Sequence, residues 1–367
     1  SVSSVGLMIR KQRAEGAGAG FVYLLYTSVS GVLYLIAVVL LYRSVGALSL
    51  HDLALRGHEM PVGTYRVVVG LFIASIGMKF GLVPFHFWQA PAYDAAGSSA
   101  AALLSGTGMK IYLYVLFRLL VHVFGAHETP SVVGPVIVAL GSVNIIVGHL
   151  LALAERDLKR LLAYSSVAHA GYVLVALGAV LASGSAAASR GAAAAALLHA
   201  GFHSLMKSAL FYSGRSLIDR RGGSTIEALR GVARAERVGF VAFIVAALSL
   251  VGVPPMSGFY SKWLIGSGAA NVFGPVPVVV IAAGTVISMV YYARVLHVGL
   301  AESPAAGAAA ATPRPGASPH ALALVAVLSV ACVALGVFGP WLETAIAEAS
   351  TALAEPEQFL TLFSTGG

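Results

Sequence analysis

Residues 196–214 read ALLHAGFHSLMKSALFYSG, an apolar stretch that carries His199, His203 and Lys207. A bilayer core takes about 20 apolar residues per helix, so this stretch is typical of a transmembrane helix. The three ionisable residues are spaced i, i+4 and i+8, which places them on one stripe of the helix. Because histidine titrates nearest neutral pH, the stripe favours a short proton wire over a row of satisfied core side chains.

The composition of the whole chain agrees with a membrane location. Of its 367 residues, 58% are hydrophobic and 10% are charged, whereas soluble domains carry about 25% charged residues. In lipid each helix satisfies its own backbone polar groups, so the pattern predicts an all-α polytopic membrane helix bundle. Nine apolar runs are predicted to span, at about residues 20–42, 67–88, 100–121, 131–154, 160–182, 192–214, 238–265, 273–299 and 320–342.

These runs divide the chain into a lead-in at 1–19, a transmembrane domain at 20–346 and a C-terminal tail at 347–367. Twelve loop Lys and Arg residues fall on the side of the N-terminus and four on the other side. Positive loops stay on the cytoplasmic or matrix side, so we expect the N-terminus there. The lead-in is basic and contains serines, which fits an ordinary polar lead-in or the remnant of a targeting segment.

The charge balance excludes several functions. Lys and Arg number 23 against 15 Asp and Glu, but they are neither clustered nor interleaved with aromatic residues, so no nucleic-acid partner is expected. A single cysteine, Cys332, cannot form an intrachain disulfide, a four-cysteine iron–sulfur cluster or a thiolate zinc site. We therefore expect any redox chemistry to take place on another chain.

The buried charges are lysines without acidic partners. Lys79, Lys110, Lys207 and Lys262 lie within apolar runs, whereas all 15 acidic residues lie in loops, termini or span ends. A charge at the centre of a membrane helix costs roughly 2.5–3.5 kcal/mol on insertion scales. Unlike an arginine, a desolvated lysine can release its proton, so these positions predict titrating groups. The alternative is that single lysines near span ends extend to the interface.

Two prolines interrupt long spans near two of these lysines. Pro84 follows Lys79 in MKFGLVPFHFW, and Pro254 precedes Lys262 in SLVGVPPMSGFYSK. Paired broken helices indicate an inverted-repeat transporter with its pathway near the membrane midplane, although ordinary helix kinks are the simpler alternative. His169, in YSSVAHAGY, is a supporting candidate that could instead form a hydrogen bond across helices. HAGFH offers only two ligands, so no metal site is expected.

The sequence resembles the antiporter-like membrane subunits of respiratory complex I, a group shared with Mrp-type cation/proton antiporters and membrane-bound hydrogenases. KRLLAYSSVAHAGY is the most specific match and is similar to the branch of subunit 2, the bacterial N subunit. FHSLMKSALF is more similar to the other branches. The remaining matching stretches are KFGLVPFHFW, ALLSGTGMKIYLYVLFRLL and SLVGVPPMSGFYSKW, and together they cover most of residues 71–263.

The resemblance implies proton transfer at the matching positions. Lys79 and Lys262 match the lysines of the two broken helices, Lys110 matches the lysine of the following span, and His203 with Lys207 matches the central relay. Family members usually have fourteen spans, and the nine here align with the last nine. The first five, with the glutamate that pairs with the lysine at position 79, are therefore expected to be absent. PAYDAAGSSAAALL also departs from the family segment of the PDVYQGAP kind.

The expected function is proton translocation in the membrane arm of NADH:ubiquinone oxidoreductase. NADH, FMN, iron–sulfur clusters and quinone would be bound by partner subunits, and this chain would carry no cofactor. The expected partners are the other membrane-arm subunits and lipids, in the mitochondrial inner membrane or a bacterial plasma membrane. The alternatives are a structural subunit that has lost transport and an Mrp-type Na⁺/H⁺ antiporter subunit.

Overall fold

The computed structural model describes residues 14–125, 132–302 and 318–355. No β-strand occurs within these ranges, where Asp157 and Thr225 form an isolated bridge, so the all-α prediction is confirmed. The helices of these ranges are α1 (Ala14–Val45), α2 (Leu50–Arg56), α3 (Val62–Phe80), α4 (Gln89–Ala95), α5 (Ser98–Val123), α6 (Val133–Ala154), α7 (Leu158–Ala182), α8 (Ala186–Arg221), α9 (Val232–Ala235), α10 (Arg237–Val251), α11 (Ser257–Phe273), α12 (Val276–Leu300), α13 (Pro319–Val337), α14 (Gly339–Ala345) and α15 (Ala347–Ala354).

Seven helices of the described ranges are long and apolar enough to cross a membrane. They correspond to seven of the nine predicted spans. The predicted span at 192–214 lies inside the 36-residue helix α8, and the one at 238–265 is divided between α10 and α11. The count of nine spans therefore stays a prediction. Helix α15 falls within the predicted tail, where Leu353 and Ala354 are buried and the boundary at residue 346 is untested.

Helix α7 is the most buried of the seven membrane-length helices in the described ranges, with 89% of its most apolar 18 residues buried. It begins at an N-cap, Asp157, whose carboxylate accepts hydrogen bonds from the backbone N–H groups of Lys159 and Arg160 at 2.8 and 3.1 Å. An N-cap aspartate satisfies donors that the first helical turn leaves open. The ERDLKR connector therefore fixes where this helix starts.

Glycines allow α6 and α7 to approach closely. Gly134, Gly141 and Gly148 recur every seven residues on α6 and face Gly178, Gly171 and Ala168 on α7, in that order. A Cβ added at Gly141 would lie 2.7 Å from the Gly171 carbonyl oxygen. Small residues are what permits such backbone contact between membrane helices. The glycines therefore set the register between two helices that carry buried histidines.

The first predicted break lies between α3 and α4. Helix α3 ends at Gly81, whose φ of 83° is favourable only for glycine among the common residues. The open backbone groups are satisfied by side chains: the Trp88 indole N–H donates to the Met78 carbonyl at 2.8 Å, and the Asn144 side-chain oxygen accepts from the Val83 N–H at 2.8 Å. Asn144 also donates to the Val167 carbonyl at 3.2 Å, which ties the break to α7.

The second predicted break lies between α10 and α11. Helix α10 ends at Gly252, with a φ of 89°, and α11 begins at Ser257. The Lys262 ammonium donates to the carbonyls of Leu250 and Val251, at 3.0 and 2.9 Å. Lys262 therefore provides a hydrogen-bond donor to the last carbonyl groups of α10, the helix that precedes it.

Candidate functional site

The four predicted lysines are all held by backbone carbonyl oxygens. Lys207 and Lys262 are buried, and Lys79 and Lys110 are half-buried. The salt bridges found within the described ranges involve other cations. Neutral dipoles rather than carboxylates therefore hold these groups, and neutral dipoles permit both protonation states better than a bound acid would. The acceptors are the carbonyls of Thr27, Ser105, Leu162 and the pair Leu250 and Val251.

Lys110 and His203 form a direct pair between α5 and α8. The Lys110 Nζ lies 2.5 Å from the His203 Nδ1 and 2.5 Å from the Ser105 carbonyl oxygen. Ser105 lies in a π-helical turn, Leu104–Gly108, directly before the lysine. An ammonium can only donate, so the facing imidazole nitrogen must accept and the histidine is neutral when Lys110 is charged. The pair can therefore hold one proton in either of two places.

Two further imidazoles, His169 and His199, continue from this pair as a row. The His169 ring centroid lies 4.8 Å from that of His203, and the His169 Nδ1 lies 3.1 Å from the His199 Nε2. The His199 Nδ1 lies 3.0 Å from the Ser261 hydroxyl, next to Lys262. These three histidines, with Lys110 and Ser261, are called the imidazole row. It joins α5, α7 and α8 to the second broken helix.

Lys207 shares the helical stripe of His199 and His203 but faces another neighbour. Its Nζ donates to the Leu162 carbonyl at 2.8 Å and to the Ser165 hydroxyl, both on α7. The adjacent Ser166 hydroxyl lies 2.8 Å from that of Ser105, which links α7 to the π-helical turn. The lysine is therefore beside the imidazole row rather than a member of it.

Lys79 lies apart from the other candidates. Its ammonium donates to the Thr27 carbonyl on α1 at 3.2 Å. Within 14–125, 132–302 and 318–355 no recorded hydrogen bond joins it to the row. Pro84 and Pro254 lie in the two breaks and act through backbone shape rather than through a proton-carrying group.

Sequence reasoning missed several polar residues that the fold brings to this region. They are Ser105, Asn144, Ser165, Tyr172, Ser261 and Tyr291. His149, inside the predicted span 131–154, is not among the predicted relay residues. Serine and tyrosine occur in many membrane helices, so spacing alone gave no signal. His149 is different, because an ionisable residue inside an apolar run is itself a signal.

The arrangement is chemically able to pass protons between side chains. Similarity to known proteins shows the family to which the chain belongs. The chain matches the family model described as "NADH:quinone oxidoreductase/Mrp antiporter, TM" over residues 1–288. The chain belongs to this family. The match covers both breaks and all four lysines.

Several family members are similar over most of this chain. NADH-quinone oxidoreductase subunit N from Desulforudis audaxviator is 33% identical over 323 residues, which are 86% of this chain and 62% of the relative. Hydrogenase-4 component B from Escherichia coli is 28% identical over 356 residues, which are 93% of this chain and 52% of the relative. The chain therefore spans between about half and two thirds of the length of these curated relatives.

The fold agrees with the family. A chain of respiratory complex I from Thermus thermophilus, solved with bound aureothin, matches with a TM-score of 0.74 and 28% identity. The match covers 93% of this chain and 72% of that one. The prediction of an antiporter-like fold is confirmed.

Proposed function

We propose that this chain translocates protons as a membrane-arm subunit of an NADH:quinone oxidoreductase. The observation that carries the proposal is the imidazole row, which connects Lys110 to Ser261 and the neighbouring Lys262 through buried groups. The similarity to subunit N of Desulforudis audaxviator supports the choice of complex. In this proposal the chain contributes to the activity of the complex and carries no redox centre.

The transfer begins at Lys110. Its ammonium passes a proton from Nζ to the Nδ1 of neutral His203, which leaves a neutral amine and an imidazolium. The imidazolium then releases its Nε2 proton towards His169. His203 Nε2 and His169 Nε2 have no hydrogen-bond partner among the described residues, so we expect ordered water to complete the connection there.

The proton then passes along His169 and His199 to Ser261 and Lys262. Each imidazole accepts at one nitrogen and releases at the other, so no net charge stays on the row after a complete transfer. Lys207, beside the row, would shift the proton affinity of the histidines by its charge. Redox events on partner subunits, which would bind NADH, FMN, iron–sulfur clusters and quinone, would drive the cycle.

Lys79 would exchange protons at the first break. The described residues provide it with a carbonyl partner but no salt bridge. We propose that a carboxylate from a neighbouring chain supplies the counter-charge. The partners would be other membrane-arm subunits and lipids.

The proposed location is a bacterial plasma membrane. The relatives named above are bacterial, and nothing supports the expected mitochondrial location. The apolar helices place the chain in a membrane in either case.

The test measures proton translocation by the intact complex in proteoliposomes. Lys110→Met and Lys262→Met should each reduce the number of protons moved per NADH oxidised while the complex still assembles. Arg66→Met removes a cation from an exposed position and should change neither quantity. Unchanged proton stoichiometry in both lysine variants would overturn the proposal and favour a structural subunit.

A second candidate is a subunit of a hydrogenase-type or Mrp-type complex, which the similarity to hydrogenase-4 component B favours. The chains that co-purify with this one separate the candidates. A flavoprotein that oxidises NADH supports the first proposal. A hydrogenase subunit, or Na⁺-dependent transport without NADH oxidation, supports the second.

A further inference from the structure

His149 on α6 is a fully buried histidine that lies between two tyrosine hydroxyls. Its Nδ1 lies 3.2 Å from the hydroxyl oxygen of Tyr291 on α12, and its Nε2 lies 3.2 Å from that of Tyr172 on α7. All three side chains are fully buried. We call them the Tyr–His–Tyr triad. Both ring nitrogens of the histidine are thereby engaged with groups that can donate and accept protons.

The chemistry of a neutral imidazole makes this triad directional. One ring nitrogen donates and the other accepts, so one tyrosine donates to the ring and the other accepts from it. When Nδ1 accepts, a proton arriving at the Tyr291 oxygen displaces the hydroxyl proton of Tyr291 to Nδ1. The Nε2 proton then moves to the Tyr172 oxygen, which releases its own. One proton enters, one leaves, and the three groups end neutral with the tautomer reversed.

Two of the predicted lysines lie near the triad, one on the side of each tyrosine. Ser165, which accepts a hydrogen bond from Lys207, interacts with the hydroxyls of Tyr291 and its neighbour Tyr292. At the other end the Lys262 Nζ lies 4.9 Å from the centroid of the Tyr172 ring. The triad therefore lies between Lys207 and Lys262, as the imidazole row lies between Lys110 and Ser261.

A glycine on α12 leaves the room that the triad occupies. A Cβ added at Gly284 would lie 2.9 Å from the His149 Cδ2, 2.9 Å from the Tyr172 hydroxyl oxygen and 2.6 Å from the Ile145 Cγ2. The close approach of α12 to α6 and α7 at this position brings Tyr291, on the same helix, to the histidine. The contact thus depends on a small residue at the crossing of three helices.

We propose that the Tyr–His–Tyr triad is a second proton-transfer branch, which connects the Lys207–Ser165 pair to Lys262 in parallel with the imidazole row. This inference rests on the proposed function, because the branch serves the same lysines. A purely structural histidine would need its hydrogen bonds but not its ability to exchange protons between two nitrogens. The experiment therefore separates the loss of hydrogen bonding from the loss of proton exchange at His149.

The test uses the intact complex in proteoliposomes and compares two matched pairs of variants. His149→Gln keeps a donor and an acceptor but cannot exchange a proton through a tautomer, whereas His149→Phe removes both hydrogen bonds. Tyr291→Phe removes the hydroxyl that contacts His149, whereas Tyr42→Phe removes the hydroxyl of an exposed tyrosine on α1. Assembly and NADH oxidation are measured beside proton translocation.

We expect His149→Gln and Tyr291→Phe to lose part of the proton translocation with assembly intact, and Tyr42→Phe to retain all of it. Adding Ser261→Ala to Tyr291→Phe should remove most of what remains, because both branches are then interrupted. Full translocation in His149→Gln and Tyr291→Phe, together with a loss in Lys262→Met, overturns the branch and leaves the proposed function standing. Full translocation in Lys262→Met and Lys110→Met as well overturns the proposed function itself.

Discussion

The Lys110 Nζ and the His203 Nδ1 lie 2.5 Å apart, although the two residues are 93 positions apart in the chain. The contact brings a donor-only ammonium against an imidazole nitrogen, and a protonated lysine therefore requires a neutral histidine. Such a pair holds one proton in two alternative places. Whether Lys110 acts by its charge or by releasing its proton can be decided by substitution.

Lys110→Arg should lose part of the proton translocation even though the positive charge is kept. A guanidinium does not release its proton in proteins, so transfer to His203 is interrupted. We expect transfer along the imidazole row to fall by roughly 100-fold, the lower end of what a positioned acid–base group contributes, while the Tyr–His–Tyr triad still carries part of the total translocation. The rate is measured as proton translocation by the assembled complex. Lys159→Arg, which keeps a cation near Asp94, is the control, and equal rates in the two variants would contradict a proton-releasing role for Lys110.

Ser261→Ala should reduce proton translocation with little loss of stability. The substitution removes the hydroxyl that lies 3.0 Å from the His199 Nδ1 and so interrupts the imidazole row at its end. A typical hydrogen bond contributes about 1 kcal/mol, so the complex should still assemble. Ser267→Ala, at an exposed position of the same helix, is the control. The prediction is wrong if both serine variants translocate protons equally well.

Asn144→Ala should destabilise the first broken helix. The side chain accepts from the Val83 N–H and donates to the Val167 carbonyl, and its loss leaves the Val83 N–H without this acceptor. An unsatisfied buried polar group costs about 1–3 kcal/mol, which the thermal unfolding of the purified complex should report as a lower transition temperature. Asn271→Ala, at an exposed position of α11, should leave it unchanged. An unchanged transition in both variants would show that Asn144 does not support the break.

Gly141→Ala should destabilise the contact between α6 and α7. The added Cβ would lie 2.7 Å from the Gly171 carbonyl oxygen, so the two helices would have to separate. Overpacking of this kind costs about 1–3 kcal/mol. At Gly70 on α3 a Cβ meets nothing within 4 Å, and alanine there should be neutral or stabilise the helix by about 0.5–1 kcal/mol. Thermal unfolding should give a lower transition temperature for Gly141→Ala and an unchanged or higher one for Gly70→Ala. Equal shifts in the two variants would contradict the packing argument.

Much of the fold follows from local chemistry. Apolar runs of bilayer length predict helices, and glycine followed by proline predicts the interruptions after Phe80 and Val251. The length and start of a helix depend on residues close to it in the chain, such as the Asp157 cap of α7. Hydropathy predicts residues 238–265 as one span, because the apolar character continues through the break. The break is therefore not visible in hydropathy alone.

The candidate site was predictable as a set of ionisable residues but not as a set of contacts. His199, His203 and Lys207 share a stripe because the helical period is a local property. His203 nevertheless pairs with Lys110 on α5, while Lys207 binds Ser165 on α7. The partners differ because several helices surround α8, and a stripe does not tell which neighbour faces each position.

The sequence by itself determined that this chain forms membrane helices and that lysines without acidic partners lie inside them, and it predicts a break in two of these helices. Only the tertiary structure decided which of the ionisable groups contact one another. The register that places His149 between Tyr172 and Tyr291 depends on the close approach of three helices at glycines such as Gly284. Such an approach is a property of packed surfaces, and no local pattern in one helix specifies the surface of another.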